Sequence, residues 1–118
     1  MPPPSKLAVA TSSLVRLVKE EASYYKEMEQ QEARIKKLEA GSDEDNAEYL
    51  LKQEKQGLEE TKNVIPNVRS KISDALGKLE EQLASESNKE AGGEAPTEEV
   101  TKAKEAIEKA KAALRESA

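Results

Sequence analysis

Leu51, Leu58, Ile65, Ile72 and Leu79 recur every seven residues, and Val68 and Ala75 are offset from that series by three. At 3.6 residues per turn these positions fall on one stripe of a helix, so the stretch Leu51 to Leu83 reads as a long amphipathic helix that needs partners for its apolar side. Pro66 interrupts it between Ile65 and Asn67. A proline there removes one backbone donor and crowds the carbonyl four residues back. The repeat keeps its phase on both sides, so the expectation is a kink at Pro66, not a break.

A second periodic stretch precedes it. Leu7, Ala10, Leu14, Leu17, Tyr24, Met28, Ile35 and Leu38 follow a seven-residue repeat with positions three apart, and Val18 and Tyr25 widen the stripe. Glu21 and Gln31 fall on the same repeat. They read either as polar contacts between helices that fix register or, more simply, as residues on the frayed edge of the stripe. Val100, Ala103, Ile107, Ala110 and Leu114 form a third, alanine-rich stripe, with Thr97 in the N-cap position and Glu98 and Glu99 in the first turn.

The segments between the stripes read as connectors. Gly41 suits the left-handed conformation at a helix C-terminus, and 42–46 is short enough to require that the first two helices run antiparallel. Asp43, Asp45 and Glu54 echo a calcium loop, but Glu48 stands where glycine is needed and Ala47 where an oxygen ligand is needed; the acids serve the helix dipole instead. Gly57 and Gly77 lie off the core stripe and read as tolerated surface glycines. Residues 86–96, with Gly92, Gly93 and Pro96, read as a mobile connector, and the Pro-rich tip Met1 to Pro4 has no assigned role.

The expected architecture is therefore all-α: an elongated antiparallel three-helix bundle with left-handed, coiled-coil-like packing. One domain covers 1–118, with helix 1 at about 6–40, helix 2 at about 44–85 and helix 3 at about 97–116. The hairpin outruns the third helix, which leaves part of its groove uncovered.

Function is bounded first by what is missing. The chain has no cysteine and no histidine, which closes disulfides, thiol nucleophiles, imidazole bases and the common zinc and haem sites. A net charge of -5 disfavours nucleic acid and anionic membranes, and the three tyrosines are too few for a base-stacking platform. No apolar run approaches the roughly 18 residues of a membrane span, and the N-terminus lacks a signal-peptide pattern, so the expected compartment is the cytosol. No enzyme constellation stands out, no cofactor or metal is expected, and protein partners remain.

The run Leu17-Val18-Lys19-Glu20, then Tyr24, Lys26-Glu27, Gln30-Gln31-Glu32 and Ile35, resembles the first helix of the tubulin-binding cofactor A family. Ile65-Pro66, followed by Arg69, Leu76 and Leu79, resembles the second-helix signature of the same family. The likeness spans residues 14–83. It implies a cytoplasmic, cytoskeleton-associated folding cofactor that acts downstream of the cytosolic chaperonin. Such a cofactor binds near-native β-tubulin and supplies it for heterodimer assembly without nucleotide hydrolysis. Other tubulin folding cofactors are further candidate partners. The chain agrees in lacking a phosphate loop, since Gly77-Lys78 is followed by Leu79 and not by Ser or Thr.

No binding motif of the family transfers residue by residue, so candidate contacts come from side-chain chemistry. They are Val15, Lys19, Glu20, Tyr25, Tyr49, Val64 and Pro66. Tyrosine is enriched at binding hot spots, Val15 and Val64 are apolar but off the main stripes, and a mid-helix proline survives more readily where its bend has a use. For each, packing or ordinary surface is the plainer reading. Basic residues outnumber acidic ones over 5–38 and acids outnumber bases over 43–66, so charge can steer a partner. The rival reading is a structural or scaffolding helical bundle that self-associates, and the sequence leaves monomer and homodimer open.

Overall fold

The computed structural model describes residues 5–41, 45–87 and 97–116. These form three helices and, among the described residues, no strand: α1 (Lys6–Glu39), α2 (Ala47–Ser87) and α3 (Thr97–Glu116). The tip Met1 to Pro4, the acidic residue Asp43 and the connector expectation over 88–96 lie outside the described residues.

Local chemistry accounts for the helix ends. The Ser5 hydroxyl accepts the Ala8 N–H at 3.0 Å, and the Val9 N–H reaches the Ser5 carbonyl at 3.0 Å, so Ser5 is the N-cap of α1. Gly41 has φ of 112°, the conformation expected of it beyond the last turn of α1, and its N–H closes on the Leu38 carbonyl at 3.2 Å. Asn46 supplies the carbonyl for the Leu50 N–H at 2.8 Å and opens α2. Thr97 is the first residue of α3, one place inside the cap position that the sequence suggested. The helix α2 is continuous through Pro66, which is exposed.

The chain divides into two compact units, Met1–Lys19 with Arg69–Ala118, and Glu20–Val68. The first is a three-helix unit. Leu7 and Leu14 of α1 and Ile72 and Leu79 of α2 belong to its core, all four 0 or 1% exposed. Ala103, Ala106, Ile107 and Ala110 complete it from α3. Alanine lets α3 approach closely but removes little area from water, at about 25 cal/mol per Å². Thr11 is buried too, with its hydroxyl given to the Leu7 carbonyl at 2.8 Å. Glu86 falls seven residues after Leu79 and is buried, which carries α2 to Ser87, past the end expected near 85.

The second unit is a hairpin of α1 and α2 alone. Gln31 lies against Gly57 and Arg34 pairs with Glu54 at 3.0 Å; as numbering rises in α1 it falls in α2, so the two helices run antiparallel. Its buried residues are mixed: Ile35, Ile65 and Val68 with Glu21, Gln31 and Thr61. Two expectations change here. Glu21 and Gln31 are 3% and 7% exposed, so they are core residues and not a frayed edge. Gly57 is half-buried, and a Cβ there would stand 3.0 Å from Gln31 Nε2, so it is a packing glycine; Gly77 is exposed with nothing within 4 Å, as a surface glycine should be.

Stability should follow this division. Leu79→Ala, at a fully buried site, is expected to cost about 3 kcal/mol in denaturant unfolding, and Leu58→Ala, at a half-buried site of the hairpin, about half of that. Equal costs would contradict the burial pattern. Gly77→Ala should stabilise by about 0.5–1 kcal/mol, because it adds helix propensity and meets no neighbour. A lower melting temperature for that variant would refute the open-space assignment.

Candidate functional site

Two polar ties hold α3 in the three-helix unit. At one end the Ser5 hydroxyl, while capping α1, donates its proton to the Glu99 carboxylate in the first turn of α3. At the other, the Arg69 guanidinium donates to the Ala113 carbonyl at 3.4 Å and the Leu114 carbonyl at 2.6 Å. A cation on the last carbonyls of a helix satisfies acceptors that have no intrahelical donor and complements the negative end of the dipole. An exposed Lys111–Glu80 pair at 3.4 Å adds little to these ties.

With α3 fixed in this way, its junction with α1 forms an open groove of about 660 Å³. Half-buried Val15 and Val18 and buried Ala106 line its base, and exposed Arg16, Lys19, Lys102 and Lys109 stand around it with Glu105. A second groove, of about 780 Å³, runs between α1 and α2 past Val9, Ala10, Leu17 and Ala75. Its charges alternate: Lys6, Lys71 and Lys78 against Asp74 and Glu81. Val9, 51% exposed, is its most open apolar residue.

In the hairpin unit Tyr24, Tyr25, Met28, Leu51, Leu58 and Val64 are all half-buried. Two helices cannot enclose stripes that a third would cover, so these side chains keep apolar surface in contact with water. Tyr49 is 63% exposed and its hydroxyl accepts from Gln53 Nε2 at 3.1 Å.

The candidate contacts thus separate into groups. Val15 and Lys19 meet in the α1/α3 groove. Glu20, Tyr25, Tyr49, Val64 and Pro66 belong to the hairpin unit, where Glu20 and Pro66 are exposed. The Gln31–Gly57 register puts Tyr25 level with a residue close to Val64, but Tyr49 lies roughly 20 Å farther along α2, so one compact anchor cannot contain both tyrosines. Arg16, Lys102 and Lys109 are not among the contacts that the sequence singled out. The signal was present: Lys102, Glu105, Ala106 and Lys109 follow three- and four-residue steps on one side of α3, but only the packed structure sets that side beside Arg16 and Lys19.

Among the described residues no three His, Cys, Asp or Glu side chains gather as a metal site, and no helix is long and apolar enough to cross a membrane. What the surface offers is grooves and half-buried apolar side chains framed by charge, which are means of binding.

Comparison with known proteins points the same way. A family model described as Tubulin binding cofactor A matches residues 2–107. The chain is 32% identical over 111 residues to the tubulin-specific chaperone A of Saccharomyces cerevisiae, covering 94% of this chain and 95% of that protein. It is 34% identical over 85 residues to that of Oryctolagus cuniculus, covering 72% of this chain and 76% of the rabbit protein. The crystal structure of tubulin folding cofactor A from Arabidopsis thaliana superposes with a TM-score of 0.73 at 30% identity, over 90% of this chain and 92% of that one. Both motif stretches noted in the sequence lie inside the matched span, and the three-helix architecture is shared with the solved structure. The chain belongs to the tubulin binding cofactor A family.

Proposed function

We propose that this protein is a tubulin folding cofactor that binds near-native β-tubulin downstream of the cytosolic chaperonin and supplies it for assembly with α-tubulin. It works in the cytosol beside the cytoskeleton, by binding alone and without nucleotide hydrolysis. The observation that carries this reading is the family match over residues 2–107, nearly the whole chain. Other tubulin folding cofactors are the expected recipients of the bound polypeptide.

The geometry supports a binding role. A polypeptide that has folded most of its core but lacks its partner exposes apolar patches, and a cofactor must cover them reversibly. Half-buried Tyr25 and Val64 suit that task, because side chains already partly ordered by packing lose little freedom on binding. Pro66 takes part through shape. It cannot donate to the Lys62 carbonyl, and the bend that this favours gives α2 a concave side for the client. Tyr49 and Glu20 add exposed polar and aromatic contact.

Mixing the purified protein with β-tubulin released from native heterodimer, without nucleotide, should give a stoichiometric complex on size-exclusion chromatography, with no corresponding α-tubulin complex. Absence of a complex, with the protein folded and helical, would refute the reading and leave the self-associating scaffold, which sedimentation would reveal as a dimer or higher species. Within a complex, Tyr25→Ala should weaken β-tubulin binding about tenfold. Pro66→Ala should straighten α2 and also weaken binding, and unchanged affinity in a straightened helix would remove Pro66 from the contact set.

A further inference from the structure

We propose that the α1/α3 groove of the three-helix unit is a docking site for an acidic amphipathic segment of the client polypeptide, taken up as a helix or a single turn of one. The source of the segment rests on the function proposed above; the groove's chemistry does not.

The whole chain carries a net charge of -5, yet Arg16, Lys19, Lys102 and Lys109 gather around this groove against Glu105. Among the described residues Arg16, Lys19 and Lys109 hold no ion pair, and Lys102 has an exposed partner, Glu98, within its own helix at 3.3 Å. Three cations elsewhere are matched across helices, in Arg34–Glu54, Lys55–Glu39 and Lys111–Glu80. The α1/α2 groove, of similar size, mixes its signs. The α1/α3 groove thus carries the larger cationic excess of the two, four basic residues to one acid against three to two, which favours an occupant that brings carboxylates.

The base specifies the rest of the occupant. Val15, Val18 and Ala106 offer aliphatic surface, and Thr11 has already given its hydroxyl to the Leu7 carbonyl at 2.8 Å. The base thus asks for apolar anchors while its surroundings ask for acids, a pattern that an amphipathic helix meets with apolar residues three and four apart and acids beside them. A volume of about 660 Å³ accommodates a few side chains, not a folded domain. A nucleic acid fits less well, since no aromatic ring lines the groove for stacking and the chain's overall charge repels phosphate.

The test pairs two probes with matched variants. The probes are β-tubulin released from heterodimer and a synthetic fluorescein-labelled peptide of Leu at helical spacing with Glu between. The variants are Arg16→Glu/Lys109→Glu, the milder Arg16→Gln/Lys109→Gln, and a control with the same charge change in the other groove, Lys71→Glu/Lys78→Glu. All four positions changed, Arg16, Lys71, Lys78 and Lys109, are exposed, and circular dichroism verifies that each protein is folded. Wild type should bind both probes. The Glu variant should bind each about tenfold more weakly, the Gln variant should fall between, and the control should match wild type. Raising salt from about 0.15 M to about 1 M should erase most of the difference.

If β-tubulin binds wild type and the Glu variant equally, the groove proposal is overturned and the tubulin reading stands. If β-tubulin does not bind but the acidic peptide does, with loss in the Glu variant, the tubulin reading fails and the groove proposal survives. Tighter binding of a lysine-for-glutamate version of the peptide, or of a single-stranded oligonucleotide, overturns the groove proposal.

Discussion

The complete burial of Leu7, Leu14, Ile72 and Leu79 is the constraint on which the three-helix unit depends. Each such side chain, removed completely from water, contributes about 2 kcal/mol, and the chain has no Phe or Trp to supply larger increments. The alanines of α3 add close approach more than area, so the position of α3 relies on polar ties as well. Ser5 with Glu99 secures one end, and Arg69 on the terminal carbonyls of Ala113 and Leu114 secures the other. The Arg69 tie uses carbonyls at a helix end that would otherwise lack an intrahelical donor.

The hairpin solves a different problem with the same repeat. Two helices cannot enclose both their stripes, and its buried set includes Glu21, Gln31 and Thr61 beside Ile35, Ile65 and Val68. Thr61 satisfies its hydroxyl on the Gly57 carbonyl at 3.0 Å, whereas Gln31 Oε1 is buried and, among the described residues, has no hydrogen-bond partner. The absence of a side chain at Gly57 makes room for the Gln31 amide. Such a unit has a smaller apolar gain to lose on opening than the three-helix unit, and local stability follows buried apolar contact. For a binding protein that is an advantage: half-buried Tyr25, Leu51 and Leu58 can exchange water for a partner without dismantling a closed core.

The chain has no histidine or cysteine, and among its described residues no three carboxylates gather as a metal site. The uneven distribution of its charge then matters more than its total. Opposite signs are paired across the helices at several places, and the α1/α3 groove is where a surplus of cations surrounds aliphatic surface. Helical repeats produce such surfaces readily, because a residue one step off the buried stripe is held in a fixed orientation yet remains open to solvent.

Helix number, type and approximate extent were legible in the sequence, because the seven-residue repeats of Leu51 to Leu79 and Leu7 to Leu38 leave a helix few alternatives, and Gly41 marks an end by its backbone freedom. Family resemblance was legible as well, in the run from Leu17 to Ile35 and at Ile65-Pro66. The same repeat was silent about depth. Glu21, Gln31, Thr61 and Glu86 are buried although their polarity argues for the surface, and Leu51 and Leu58 are half-buried although theirs argues for the core. Nor did the sequence place Arg16 and Lys19 beside Lys102 and Lys109, which are more than eighty residues away along the chain. Local periodicity, set by 3.6 residues per turn, determined by itself that this protein is three amphipathic helices. Which stripe residues are sealed, which polar groups are drawn inside and which charges share a groove were decided only by tertiary structure, because each depends on how many helices stand around a given turn.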